Sequence, residues 1–143
     1  METRAEIVFR GAHCTLGIRR PADRVVIVSL AGNDVGEFGD GPFKELAADV
    51  EGAAAGELEL FIDARSGVAA SMDVSGEWAI WLARHKRSFR HVSMLTGSRF
   101  IQLSAGFVRR FADMGELMRI YTDPAAFEGA LSSSIANANA RPR

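Results

Sequence analysis

The sequence predicts an α/β domain: a mixed, mostly parallel sheet of about five strands with helices packed on it. Three observations carry this. Short apolar or β-branched runs alternate with stretches of helical periodicity along most of the chain. The run Arg24–Leu30 (RVVIVSL) is apolar almost without a break, as a strand buried on both faces requires. The stretch Glu57–Trp78 (ELELFIDARSGVAASMDVSGEW) writes a strand, a polar link and a helix entry into consecutive residues.

Taken in order, Glu6–Arg10 and His13–Arg19 predict two short strands around Gly11-Ala12, a hairpin at the sheet edge. Pro21-Ala22-Asp23 punctuates, and Arg24–Leu30 follows as the central strand. After a loop dense in Gly, Asn and Asp, Pro42 suits the first turn of a helix over Pro42–Ala54, with Phe43, Leu46, Ala47 and Val50 on one face. Leu58–Asp63 is a strand, and Asp73 to about Phe89 a second helix with Val74, Trp78, Trp81, Leu82, His85 and Phe89 on one stripe. The strand His91–Thr96 leads through Gly97-Ser98 to a third helix, Arg99–Ala112, whose Phe100, Leu103, Phe107 and Phe111 form the expected core stripe. Glu116–Thr122 is the last strand, and Asp123-Pro124 opens a closing helix with Phe127, Ala130 and Leu131. Residues 1–132 read as a single domain, and the polar stretch 133–143 as a tail that frays.

Composition narrows the class of function. At 143 residues the chain can bury a core without a metal or disulfide staple. A net charge of −1 supplies no long-range field for nucleic acid or acidic lipid. Cys14 is the only cysteine, which excludes an internal disulfide and fits a reducing cytoplasm, the expected compartment. Glu2, Arg4 and Glu6 interrupt what would have to be the apolar core of a signal peptide, and no apolar run approaches the ~20 residues of a membrane span.

The segment FIDARSGVAASMDVSGEW resembles the turn by which STAS domains, the sulfate-transporter and anti-sigma-factor-antagonist family, are known: a strand ending in Asp, a Ser-x-Val link, and an Asp-Ser-Ser-Gly turn entering a helix. Asp63, Ser66, Val68, Met72, Asp73, Ser75 and Gly76 match in kind, with Val74 in place of the first Ser and Glu77-Trp78 after the Gly. The second half (HVSMLTGSRFIQ, then ELMRIYTDPAAFEGAL) is similar to small stand-alone SpoIIAA-like proteins, so the resemblance covers roughly residues 23–132. It implies a bacterial regulatory binding domain rather than an enzyme, with an anti-sigma-factor or kinase-like partner and no cofactor. It also implies that Ser75 is a phosphorylated switch, with Asp63, Ser71, Asp73, Gly76, Glu77 and Trp78 forming the partner surface around it.

Physical chemistry gives Ser75 its own case, because the first turn of a helix offers unpaired N–H groups and the positive dipole end to a phosphate. The plainer reading is that Ser71, Asp73 and Ser75 cap the helix. Trp78 and Trp81 read first as sheet cover, and the Phe100–Phe111 stripe as core. The alternative groups Trp78, Trp81, Phe100 and Phe107 as the wall of an apolar pocket for a lipid or acyl ligand, as in the CRAL-TRIO fold that small STAS-like proteins resemble. The run Arg84–His91 is a solvated helix end or a dock for an acidic partner. Catalysis is not expected: His13, His85 and His91 have no zinc spacing, Cys14 and His13 point to opposite strand faces, and Gly97-Ser98-Arg99 lacks a phosphate-loop lysine. The exposed N-terminal strand edge suggests a homodimer.

Overall fold

Residues 6–141 are described by a computed structural model. The chain runs β1 (Ile7–Arg10), β2 (Cys14–Ala22), β3 (Val25–Asp34), α1 (Gly41–Gly52), β4 (Leu58–Ala70), α2 (Met72–His85), β5 (Phe89–Thr96), α3 (Arg99–Phe111), β6 (Met118–Tyr121) and α4 (Pro124–Ala140), with single helical turns at Lys86–Ser88 and Gly115–Leu117. One six-stranded sheet holds the strands in sequence order. β1, β2 and β3 pair antiparallel, whereas β3 to β6 pair parallel. The mixed α/β architecture is as expected, with six strands rather than about five.

A steady outward strand order with helical crossovers places α1, α2 and α3 on one face. There Leu46 and Val50 of α1, Ala79, Trp81 and Leu82 of α2, and Ala105 and Val108 of α3 close over Val26, Val28, Leu60, Ile62 and Val92. The alternate residues Val25, Ile27, Phe61 and Leu95 face the other way and are covered by Phe127 and Ala138 of α4. Period-two alternation thus explains why RVVIVSL had to be apolar throughout: it serves two cores.

Arg20 ties β2 to α1. Its guanidinium, 8% exposed, donates to Asp49 at 2.7 and 3.0 Å and to the Glu45 carboxylate at 3.1 Å. On the α4 side, Glu59 is buried and accepts from Ser134 Oγ and pairs with His91 Nε2, both at 2.8 Å.

Two expectations are corrected. β4 does not stop at Asp63 but continues to Ala70, pairing with β3 as far as Asp34–Ala70. The small-residue link is therefore strand, because β3 also extends through AGND with register shifts that absorb the mismatch. The stretch 133–143 is not a frayed tail from its start. α4 runs to Ala140, since Ser134, Ile135 and Ala138 carry the helical spacing that packs it on the sheet. The polar surface residues there hid that spacing.

Candidate functional site

Ser71 is the N-cap of α2, and its Oγ accepts from the Val74 amide at 3.2 Å. Ser75 is the fourth helical residue. Its amide already donates to the Ser71 carbonyl at 2.9 Å, and its hydroxyl donates to that same oxygen at 3.0 Å. The side chain is only 3% exposed. An outward-facing Ser75 hydroxyl beside free N–H groups is therefore not what the chain forms. The free N–H groups belong to the turn before it, and Ser75 points inward beneath α2. Asp73 and Glu77 are exposed, Gly76 and Trp78 half-buried. Asp63 does not join them. Its neighbour Ile62 faces α2, so Asp63 lies on the α4 face, where Arg65 bridges it at 3.0 Å to Glu128 at 2.8 Å.

The aromatic pair divides. Trp81 is core, stacked on Phe43 with ring centroids 5.6 Å apart, while Trp78 meets Phe43 edge-on at 4.9 Å. In α3 the expected core stripe is the wrong one. Ile101, Ala105 and Val108, spaced by four and three, face the sheet. Phe100 and Leu103 are 68% and 66% exposed, and Phe111 is 61% exposed, with Phe107 half-buried beside it. The small inner stripe wins because Val92, Met94 and Met118 already fill the space above β5 and β6.

α2 and α3 run side by side in the same direction, pinned at both ends. Ser98 Oγ, at the start of α3, donates to Val68 O at 2.6 Å beside the start of α2. Lys86 Nζ, just past α2, donates to Ala112 O at 3.2 Å and Asp113 O at 3.0 Å at the end of α3. Ser75 and Ala79 are the buried residues on the side of α2 that meets α3. Helical spacing then puts Met72, Gly76 and Ala83 just above that contact and Ile80 at the crest. The facing flank of α3 carries Phe100, Leu103, Phe107 and Phe111. The result is one apolar groove with small residues on one wall and large ones on the other. Asp73 and Glu77 lie past Ile80, toward the flank that holds Trp81 against Phe43.

Under the groove lies a cavity of about 60 Å³, walled by Val28, Ile62, Trp78, Ile101 and Val108, with Asp34 and Ser75 among its few polar groups. At roughly 10–15 Å³ per water-sized position this is about four or five atoms' worth, too little for an acyl chain. Of the pocket residues expected from the sequence, only Trp78 lines it. Trp81 is packed elsewhere, Phe100 stands in solvent, and Phe107 is on the groove.

Nothing in the sequence marks Asp34 beyond its place in a Gly/Asn/Asp loop. Its carboxylate accepts from the Gly36 amide at 3.0 Å and its carbonyl from the Ser71 amide at 2.9 Å, so it holds the entrance of α2. Burial raises its pKa, against the Gly36 hydrogen bond. Cys14 is likewise buried, its thiol pushed up to about 11 chiefly by burial, which makes it an inert packing residue. The three histidines stay apart: His13 beside Glu37 on the hairpin, His85 against Trp81, and His91 on Glu59.

No family model matches the chain, and no curated protein matches it in sequence. Solved structures do resemble it. An uncharacterized protein of the DUF3478 family with a SpoIIAA-like fold, from Shewanella loihica, matches with a TM-score of 0.57 at 16% identity, over 92% of this chain and 98% of that one. An anti-sigma factor antagonist from Mycobacterium paratuberculosis matches with a TM-score of 0.50 at 12% identity, over 90% and 93% of the two chains. The fold is therefore SpoIIAA-like, as the second half of the sequence implied. No described helix is long and apolar enough to cross a membrane.

Proposed function

We propose that this chain is a non-enzymatic regulatory domain that acts by binding another protein, with the α2–α3 groove as its contact surface. One observation carries the reading: Met72, Ile80, Phe100, Leu103 and Phe111 are all exposed along two adjacent helices, with none of the described residues over them. Isolated exposed apolar residues are ordinary, but a contiguous patch of this kind marks an interface. The fold shared with an anti-sigma factor antagonist supports the general kind, and makes an anti-sigma factor the partner class to seek. Several proposed recognition residues border the groove: Ser71 caps its entrance, Gly76 lies on its wall, and Asp73 and Glu77 stand behind its crest.

A phosphoryl switch at Ser75 fits this reading only through opening of the first turn of α2. The buried hydroxyl has no path to a kinase while that turn is closed. Phosphorylation would then hold the turn open, by lodging ≈ −1.5 to −2 charges next to Asp34. The carrier alternative loses its support, because the cavity beside Trp78 is about a fifth of the ~300 Å³ at which ligand pockets begin.

The test is a photo-reactive residue at position 103, with a control at Arg19 on β2, introduced into the source organism. Crosslinking to one defined protein from position 103 alone, and weaker binding of that purified protein by Leu103→Asp, is the expected result. Crosslinking only to lipid, or equally from both positions, would contradict the reading.

A further inference from the structure

The groove is asymmetric in charge as well as in size. α3 carries Arg99, Arg109 and Arg110 and no acidic residue over its whole length. All three cations are exposed, and none is ion-paired to a described residue. Arg99 and Arg110 are eleven residues apart in sequence, so they bracket the phenylalanine stripe at its two ends, roughly 16 Å apart along the helix. Helical spacing sets both on the rim of the groove next to Leu103, on the side away from α2. The opposite wall starts at Met72 and continues through Gly76 and Ala83, the last two small enough to let another backbone approach closely.

Resting on the protein-binding reading above, we propose that the occupant is an acidic amphipathic helix of a partner protein. It would be about three turns long, with its apolar face in the α2–α3 groove and its carboxylates against Arg99 and Arg110. Shape and charge select this occupant. A trough between parallel helices, three turns long, accepts a helix read at i, i+4, i+7 and i+11. A second copy of this chain would bring Arg99 and Arg110 against like charges. A flat bilayer would reach the crest residues Ile80 and Leu103 but not the Gly76–Ala83 wall. Asp73, beyond Ile80, favours a partner whose acids lie on the α3 side only.

The experiment uses the full chain and two synthetic peptides of about 15 residues, long enough to hold helix. Both carry leucine at those four positions, one flanked by glutamates and the other by lysines. Fluorescence anisotropy should show the glutamate peptide binding roughly tenfold tighter, with affinity falling as salt rises. The double variant Arg99→Glu/Arg110→Glu should reverse the preference, and Leu103→Asp should abolish both. All three positions are solvent-exposed, so the fold is not at stake, and circular dichroism verifies it. Equal affinity for the peptides, or preference for lysine, overturns the acidic class while leaving the groove as a recognition surface if Leu103→Asp still abolishes binding. Binding to phosphatidylglycerol-containing vesicles with neither peptide bound overturns both the inference and the protein-binding reading. Self-association relieved by Leu103→Asp, with no peptide bound, overturns the inference in favour of a second copy.

Discussion

Replacing Ser75 by aspartate is expected to unfold the entrance of α2 rather than decorate its surface. The side chain is 3% exposed, faces the cavity formed with Val74, Trp78 and Ile101, and has the Asp34 carboxylate on the same cavity wall. An added carboxylate would therefore be desolvated and set near a like charge. The effective penalty for burying one ion is several kcal/mol after relaxation, and proton uptake or partial opening relieves some of it, leaving a loss of about 3–5 kcal/mol. In a chain of this size that lowers Tm by roughly 10–20 °C. Ser75→Ala provides the contrast. The lost hydroxyl bond goes to a carbonyl that keeps its amide partner, and alanine is the better helix former, so the change stays within about 1 kcal/mol. Paired urea and thermal melts followed by far-UV circular dichroism measure both. Were Ser75 on the surface, an aspartate in the first helical turns would be neutral or mildly stabilising. A Ser75→Asp protein as stable as the parent would therefore refute the buried placement, and with it the requirement that α2 open before phosphorylation.

Leu103→Asp and Phe100→Ser should leave stability within about 0.5 kcal/mol, checked by the same melts, because both side chains lie in solvent. Asp49→Ala should cost about 2–4 kcal/mol by leaving the buried Arg20 with only Glu45, and the double variant Arg20→Met/Asp49→Leu should recover most of it in denaturant titrations. Burial holds the His91 pKa below its ordinary range, against the pull of Glu59. The folded chain therefore binds fewer protons there than the unfolded one, so this contribution to stability is full above pH ~6.5 and is lost as pH falls below it. His91→Gln should flatten the acid limb of the stability–pH curve; an unchanged limb would assign it to His85, whose pKa burial also lowers.

The architecture was legible because its signals are local. RVVIVSL, the Pro42 helix start, and the alternation of strand and helix patterns all reappear in β3, α1 and the parallel half of the sheet. The site was legible in place but not in orientation. Ser71 as a cap follows from residue preference, whereas the inward turn of Ser75 depends on α3 lying over it. The third helix holds two apolar stripes, and period alone cannot choose between Phe100–Phe111 and Ile101–Val108. The helical spacing of Phe100, Leu103, Phe107 and Phe111 marks them as core, but Val92, Met94 and Met118 already fill the space there. The family resemblance groups Asp63 with Ser71, but strand alternation, applied strictly from Ile62, puts it on the opposite face. Glu59 escaped for the reverse reason: it shares that face with Phe61, and its burial makes sense only with Ser134 and His91 beside it.

Amide and methyl chemical-shift mapping of the isotopically labelled full chain, titrated with its purified crosslinked partner, tests the assignment of the α2–α3 groove most directly. Shifts should concentrate at Met72, Gly76, Ile80, Ala83, Leu103 and Phe107, with the α4 face silent. Shifts confined instead to the polar hollow of Arg10, Thr15, Ser29 and Arg65 on that other face, with the groove unchanged, would contradict it.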